Sequence, residues 1–335
     1  MTPVSPRRLV GAARSIPVVR RAIGRLAARD PGRPDLLAVL TYHRVDEPSD
    51  DLYPGLISAT PGEFEAQMAW LARSYRIVSL ADVVAREAGG AALPPRAVLL
   101  TFDDASRDFG EHAWPVLQRH GVPATVFVPT AFPGDPGRTF WWDRLHRVLA
   151  RPDLPAAIET PVGRLPLAGA ADQAVAFRRL RTALKELPHE RAMAAADDVV
   201  ASLGGDAGTG SVLGWDELRS LAAAGLEIGA HTRTHPLLDR VSTAELDREV
   251  AGARDDLERE LGSAPLTIAY PNGNHSAAVR AAVVRAGYRV AFTTQRGTND
   301  LAEVDWLAVR RINVGRASDR VVLAAQLHRW FRFWR

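Results

Sequence analysis

The chain has 335 residues, 47% of them hydrophobic and 24% charged, which is the composition of a globular protein with one large domain or two smaller ones. Cysteine is absent, which excludes disulfides, cysteine-ligated zinc, iron–sulfur clusters and a thiol nucleophile. The net charge is +3, and no uninterrupted apolar run of about 18 residues exists, so we expect no transmembrane helix.

Apolar runs and helical patterns alternate along the chain. A first strand is predicted over residues 36–45, and the near-continuous hydrophobic run Ala97–Phe102 is typical of a strand buried on both faces. Further strands are predicted over 76–80, 124–128, 226–230, 266–270, 288–294 and 306–314. Helices are predicted after the capping box that begins at Thr60, over 109–120, 215–224 and 276–286, and from the capping box at Ser242 to Leu261.

Strands that alternate with helices of ten or more residues indicate βαβ units and a parallel sheet. About seven such units fit an α/β barrel, complete or incomplete. Residues 146–212 break the rhythm with a predicted hairpin and a helical stretch rich in Ala and Arg, and we interpret them as an insertion. The predicted organisation is a basic N-terminal segment (1–35), a main domain (36–316) and a C-terminal amphipathic helix (317–335).

Polar residues follow the predicted strands at their C-terminal ends. These residues are Asp103 and Asp104, His231 and His235, His43 at the end of the first strand, and the turn at 271–273. Parallel α/β folds build their active sites at this edge of the sheet, because the strand ends and the loops that follow them meet there. We therefore expect these side chains to share one site.

Each pair has an ordinary alternative when it is taken alone. An Asp-Asp pair before a helix is commonly a helix cap, and His-x-x-x-His is often two unrelated surface residues. Together, two acids and two histidines at one edge predict a site for a divalent ion with positions left open for water and substrate. Adjacent side chains of an extended chain point in opposite directions, so one aspartate should bind the ion and the other should stay free as a base.

The motifs resemble those of a known family. The segments that carry the resemblance are Thr101-Phe102-Asp103-Asp104, His231-Thr232-Arg233-Thr234-His235, Ala269-Tyr270-Pro271-Asn272-Gly273, and residues 140–145 and 214–218. They resemble the polysaccharide deacetylases, the NodB-homology carbohydrate esterases. The resemblance covers about 37–316 and implies a distorted (β/α)7 barrel that hydrolyses acetyl groups on sugar polymers. It implies Asp103 as the base and Asp104, His231 and His235 as ligands of a divalent metal ion, with zinc expected.

The motifs depart from the family pattern at three positions. Ala105 stands where the first motif usually continues with Gly, and Ala269 and Asn272 stand where the third motif often has Arg and Tyr. The L-x-L-x-H pattern that supplies the acid histidine in many members is absent near the C-terminus. The exopolysaccharide, or poly-N-acetylglucosamine, deacetylase branch resembles this chain more closely. That resemblance implies His43 as the acid and Arg311 in place of the missing arginine, while a structural histidine and a surface strand arginine are the alternatives.

Three further residues, Trp142, Tyr270 and Asn272, are predicted to bind the substrate. The Trp pair at 141–142 suits stacking on sugar faces but is equally typical of core packing. A backbone N–H near Asn272 is expected to stabilise the oxyanion. We predict a metal-dependent hydrolase that removes acetyl groups from N-acetylated hexosamines of a glycan. The alternatives are an O-acetyl glycan esterase with the same machinery and a catalytically silent glycan-binding protein.

The ends of the chain are rich in arginine. Residues 1–35 carry eight Arg against two Asp, and their apolar stretch is too short for a signal peptide. We predict a cytoplasmic protein, with a contact between this segment and anionic lipid at the inner face of the cell membrane as a hypothesis. The aromatic and Arg-rich end, 327–335, is predicted either to lie in a lipid interface or to pack on the barrel. No nucleic-acid partner is expected, and the sequence leaves the oligomeric state open.

Overall fold

The structure, a computed structural model, describes residues 29–49, 53–205, 208 and 210–327, together with residues 17, 21, 24, 25 and 27. The basic segment 1–35, for which we predict a lipid contact, lies mostly outside these residues, and the aromatic end 328–335 lies wholly outside them. Within the described part of the chain, no helix is both long and apolar enough to cross a membrane.

The described residues form short strands that alternate with helices. The strands are β1 Leu36–Tyr42, β2 Arg44–Val45, β3 Ile57–Ala59, β4 Arg76–Val78, β5 Ala97–Phe102, β6 Thr125–Val128, β7 Ala157–Ile158, β8 Leu165–Pro166, β9 Glu227–Ala230, β10 Thr267–Ala269, β11 Val290–Phe292, β12 Asn299–Asp300 and β13 Ile312–Asn313. The α-helices are α1 Pro61–Ser74, α2 Leu80–Glu87, α3 Trp114–His120, α4 Trp141–Leu149, α5 Ala170–Leu184, α6 His189–Ser202, α7 Trp215–Ala223, α8 Thr243–Leu261, α9 Ala277–Arg285 and α10 Arg320–Leu327. A π-helical turn, Phe109–Ala113, runs directly into α3.

The parallel strands curl into a distorted barrel. The sheet runs in the order β11–β10–β9–β6–β5–β1, and every neighbouring pair is parallel. The segment 309–313 closes the ring, because Val309 bridges Phe292 of β11 while Ile312 of β13 pairs with Leu40 of β1. Two additions distort the barrel: β4 pairs with the first half of β5, and β12 runs antiparallel to β1. The predicted fold class, an α/β distorted (β/α)7 barrel, is confirmed.

Alternate residues of each strand serve two separate cores. Leu37, Leu99 and Phe127 belong to the cluster inside the barrel, whereas Leu40 and Phe102 belong to the larger cluster between the sheet and the helices. All six residues of β5 are buried, which explains its near-continuous apolar sequence. Because side chains alternate between the two faces, the residue that follows Phe102 on the chain must return to the barrel interior.

Several helix ends are set by local sequence. The predicted capping boxes at Thr60 and Ser242 begin α1 and α8, respectively. Gly121 ends α3 and Gly262 ends α8, both in the left-handed conformation, and both helix ends are as predicted. A third capping box, at Ser79, begins α2, a helix that the sequence analysis missed.

Between α4 and α7, where we predict an insertion at 146–212, the chain forms the hairpin β7–β8 and the helices α5 and α6. Both helices pack against α4 and extend over the C-terminal edge of the barrel, where they line a cleft. The described part of the predicted C-terminal helix is α10, which buries Val322, Leu323 and Leu327. The division of the chain into residues 1–35, 36–316 and 317–335 stays a prediction.

Candidate metal and catalytic centre

A cleft of about 470 Å³ opens at the C-terminal edge of the parallel strands. It is lined by His43, Asp103, Asp104, His231 and His235, which come from three different strand ends. The structure therefore brings together, in one cavity of the size of a small-molecule site, the polar residues that the sequence places after separate strands.

Three of these side chains form a compact group. The ligand atoms of Asp104, His231 and His235 lie within 4.8 Å of one another. Nε2 of His235 is 3.3 Å and Nε2 of His231 is 3.5 Å from Oδ1 of Asp104. That oxygen is buried and has no hydrogen-bond partner among the described residues. A buried, unpartnered carboxylate oxygen beside two imidazole nitrogens fits a divalent ion, and this donor set suits zinc.

Hydrogen bonds fix the orientation of the His231–His235 loop. Nδ1 of His231 donates to the carbonyl oxygen of Ala269 at 2.7 Å, which leaves Nε2 free to face the site. Glu249 of α8 accepts from the backbone N–H groups of Arg233 and Thr234 at 2.9 and 2.8 Å. The sequence analysis missed Glu249, which looks like any other acidic residue on the exposed side of a charged helix.

The backbone at the site is strained. Positive φ angles occur at Asp104 (72°), Ala105 (49°), Thr232 (64°) and His235 (62°). Each non-glycine residue in the left-handed region costs about 1–2 kcal/mol, and such residues concentrate at functional sites. Ala105 stands where the family motif usually has Gly, so this chain keeps the glycine-like conformation without the glycine.

Asp103 forms a buried ion pair with Arg311. The two terminal nitrogens of Arg311 each donate to an oxygen of Asp103 at 2.7 Å, and Nε donates to the carbonyl oxygen of Thr293 at 2.8 Å. Burial works to raise the pKa of Asp103, but the guanidinium, followed by the nearby His231, outweighs it, so the pKa is lowered. Asp103 is therefore held as a carboxylate.

The predicted catalytic role of Arg311 needs correction. Its side chain is 0% exposed and lies behind Asp103, inside the barrel and over the Phe127 ring. It cannot touch a substrate from there, and its two hydrogen bonds hold the Asp103 carboxylate in one orientation. The alternative of a surface strand residue is wrong for the same reason.

His43 lies between β1 and β2 and is half-buried at the cleft wall. Its backbone N–H donates to Oγ of Ser58 at 2.9 Å, and its carbonyl oxygen accepts from Oγ of Ser106 at 3.3 Å. The backbone is thus fixed on both sides, while the imidazole has no hydrogen-bond partner in the described part of the chain. A structural role for the ring is not evident from these contacts.

A buried charge cluster beside His43 was not anticipated from the sequence. Arg44 is buried and donates to Oδ2 of Asp143 at 2.7 Å, with Oδ2 of Asp108 at 3.8 Å. Oδ1 of Asp108 accepts from the backbone N–H of Val45 at 2.9 Å. Burial raises the pKa of both aspartates, although the positive charge of Arg44 acts to lower it. Through Arg44 and Asp143, the cluster ties β2, the strand that directly follows His43, to α4, the helix that carries Trp142.

Two of the predicted substrate-binding residues are largely buried. The Trp142 ring stacks on Phe140 at 4.5 Å and meets the His235 ring edge-on at 5.1 Å, so it offers the cleft little of its face. Tyr270 is 0% exposed and its hydroxyl donates to the carbonyl oxygen of Leu307 at 3.1 Å. The predicted substrate contact of the Tyr270 side chain is wrong, because the residue faces the helix layer and not the barrel mouth.

Asn272 does line the cleft, in a tight turn after β10. Its φ is +56°, and its Oδ1 accepts from Nζ of Lys185 at 2.6 Å. Gly273 follows with φ +79°, and a Cβ there would lie 2.5 Å from the backbone nitrogen of Thr294. The turn is therefore pressed against the residue that closely follows β11, and glycine is required at position 273.

Comparisons with known proteins give matches at the level of the family and of the fold. A family profile described as "Polysaccharide deacetylase" matches residues 90–159 and 175–291. The chain is 34% identical over 106 residues to the poly-beta-1,6-N-acetyl-D-glucosamine N-deacetylase of Escherichia coli (strain K12), a match that covers 31% of this chain and 15% of that protein. The protein of the same name from Staphylococcus epidermidis is 32% identical over 102 residues, covering 27% of this chain and 35% of that protein. The matches thus span well under half of each relative's own length.

Two solved structures share the fold. The Streptococcus pyogenes deacetylase PplD in complex with acetate has a TM-score of 0.60 at 20% identity and covers 88% of this chain and 100% of that chain. IcaB from Ammonifex degensii has a TM-score of 0.57 at 20% identity, with 88% and 98% covered. At this level of identity the likeness concerns the fold alone.

Proposed function

The chain belongs to the polysaccharide deacetylase family, and from this premise we propose that it hydrolyses N-acetyl groups on hexosamines of a glycan. The observation that carries the proposal is the pairing of two groups in one cleft. One is the Asp104, His231 and His235 cluster with its unpartnered carboxylate oxygen, and the other is the Asp103–Arg311 ion pair beside it. The first fits an electrophilic metal centre, and the second fits an oriented base.

Asp104, His231 and His235 would hold the divalent ion, and we propose zinc. When bound, such an ion supplies Lewis-acid polarisation of the acetyl carbonyl. The three residues hold their ligand atoms on one side, because His231 is fixed by Ala269 and the loop that follows is fixed by Glu249. The three residues also line the cleft, so an ion held by them would be accessible to water and substrate, as a catalytic site requires.

Asp103 is proposed as the general base. The Arg311 guanidinium keeps it ionised and holds both carboxylate oxygens in one orientation, and each oxygen retains a lone pair that Arg311 does not use. Asp103 lines the cleft next to the metal ligands, with Oδ2 4.0 Å from Nε2 of His231. It can accept the proton of a water molecule that attacks the acetyl carbonyl.

His43 is proposed as the general acid. An amine is a poor leaving group until it is protonated, and a histidine titrates near neutral pH. The His43 ring reaches the same cleft as Asp103 and is not engaged with another described side chain. The backbone N–H at Asn272 is proposed to donate to the developing oxyanion, since Asn272 stands in a tight turn that lines the same cleft.

We propose that Trp141, more than Trp142, provides the aromatic surface on which a sugar ring stacks. Trp141 is half-buried and lines the cleft, and its ring meets Trp142 edge-on at 5.5 Å. Trp142 in turn packs against the metal ligand His235. A sugar could therefore stack on Trp141 while Trp142 supports the ligand. The names of the curated relatives support poly-N-acetylglucosamine as a substrate to test.

Acetate release from a panel of N- and O-acetylated glycans, with and without chelator, tests the proposal. We expect chelator-sensitive release from an N-acetylated glycan by the parent chain, loss of release in His231→Ala, and no loss in His120→Ala, which changes a histidine paired with Glu65 outside the cleft. Release from O-acetylated glycans alone would replace the proposal with the esterase. Binding without any release would replace it with a silent glycan-binding protein.

A further inference from the structure

A positively charged side chain of the helical insertion lines the catalytic cleft. Lys185, the single lysine of the chain, follows the last residue of α5, is half-buried and lines the cleft. Its Nζ donates to Oδ1 of Asn272 at 2.6 Å. The partner is a neutral amide, so the ammonium charge is not neutralised by that contact.

Arg181 lies one turn earlier on the same helix and lines the same cleft. Its guanidinium lies 5.4 Å from the centroid of the Tyr53 ring, and its Nε is buried with no hydrogen-bond partner among the described residues. Residues four apart on a helix are neighbours, and like charges at that spacing repel. Burial, followed by Arg181, lowers the pKa of Lys185 to about 8, against an opposite effect of Asp104.

Two further arginines of the lining carry positive charge. Arg296 and Arg240 both line the cleft; Arg240 pairs with Glu186 at 2.8 Å, whereas Arg296 forms no ion pair with any residue that the structure describes. The acidic residues that line the described cleft are Asp103 and Asp104. Asp103 is neutralised by Arg311, and Asp104 belongs to the metal ligands. Nothing acidic in the lining therefore balances Arg181, Lys185 and Arg296.

We infer that Lys185 and Arg181 form a subsite for an anionic group, a carboxylate or a phosphate, carried by the glycan next to the sugar that is deacetylated. The inference rests on the proposed function for the nature of the substrate and extends it by assigning a substrate class. Two adjacent cations that line one cleft can both donate to a single anion with several acceptor oxygens. The same anion would relieve the repulsion between them.

Binding of three probes to the metal-loaded protein tests the subsite. The probes are chitotetraose, which is neutral, a hyaluronan tetrasaccharide, which carries carboxylates, and N-acetylglucosamine 1-phosphate. We expect at least one anionic probe to bind about tenfold or more tightly than chitotetraose at low salt, because hydrogen bonds between charged groups are stronger than those between neutral ones. Whether the carboxylate or the phosphate probe binds tightly identifies the anion.

Matched variants locate the effect. Lys185→Gln and Arg181→Gln should each lower the affinity for the anionic probe about tenfold and leave chitotetraose unaffected, while Lys185→Arg retains the preference. Arg178→Gln, an exposed change on the same helix, is the control and should change neither affinity. Equal binding of neutral and anionic probes, or equal loss in the Arg178 control, would overturn the inference.

A readout independent of turnover uses the single lysine. Acylation of Lys185 by an amine-specific reagent, followed by peptide mass spectrometry, should slow severalfold in the presence of the anionic probe and stay unchanged with chitotetraose. Protection without acetate release from any glycan would contradict the proposed function and leave the subsite intact. Acetate release from neutral and anionic glycans alike, without protection, would contradict the subsite and leave the proposed function intact.

Discussion

The buried ion pair between Asp103 and Arg311 should dominate the stability of the barrel mouth. Both side chains are at most 3% exposed, and two charge-assisted hydrogen bonds of 2.7 Å join them. Arg311→Met leaves the Asp103 carboxylate buried without a counter-ion, which costs about 3–5 kcal/mol. The Thr293 carbonyl oxygen also loses a donor. Set against a typical total of about 5–15 kcal/mol, this loss lowers the free energy of unfolding by a large fraction.

The assay is urea unfolding followed by circular dichroism in the presence of chelator, so that metal binding does not contribute. Asp103→Asn should also destabilise, because it leaves the Arg311 cation buried. The double variant should lose clearly less than the sum of the two single variants, with a coupling energy above about 2 kcal/mol. If Arg311→Met alone does not fold, the double variant still provides a folded protein for the comparison.

A matched pair on the surface serves as the control. Arg280 and Asp305 form a bidentate pair at 2.8 and 2.9 Å, but their side chains are 31% and 52% exposed. Solvent screening limits such a pair to a coupling energy of about 0.2–1 kcal/mol. If the buried pair couples no more strongly than this exposed pair, the reasoning from burial is refuted.

Three further outcomes are expected. Metal analysis should find about one equivalent of divalent ion in the parent protein and a large loss in His231→Ala and in His235→Ala; full metal content in both would mean the ligands are elsewhere. Asp103→Asn, compared per folded molecule, should keep the metal and lose about 10²–10⁴-fold in turnover, and a loss within threefold would remove the residue from the base role. His43→Ala should slow amide hydrolysis strongly and spare an activated aryl acetate, whose leaving group departs without a proton; equal losses on both substrates would indicate a structural role.

The barrel strands and the position of the site could be predicted because both depend on local sequence. Strands buried on two faces have near-continuous apolar sequence, as in Ala97–Phe102, and polar residues directly after such strands must lie at the open edge. The same logic predicted that one aspartate would bind the ion and that the other would stay free as a base. The structure places Asp104 beside the histidines, whereas Asp103 is paired with Arg311, a partner 208 positions away that the sequence analysis did not assign to it.

The misses have physical reasons of two kinds. The helix α2 was overlooked although Ser79 and Asp82 form a regular capping box, so a local signal existed there. Tyr270 was misplaced because strand register decides the side: Ala269 belongs to the interior cluster, and its neighbour faces the helices. The contact of Lys185 with Asn272 joins the insertion to the barrel across 87 positions, and no local pattern encodes it.

The closing segment of the barrel carries Arg311, 208 positions after the aspartate it pairs with. During synthesis, the earlier strands emerge long before this arginine does. A compact barrel without residues 309–313 between β11 and β1 would bury the Asp103 carboxylate without its counter-ion, which is costly. The orientation of Asp103, the proposed base, is therefore coupled to closure of the barrel, because the residue that holds its carboxylate lies on the segment that closes the ring.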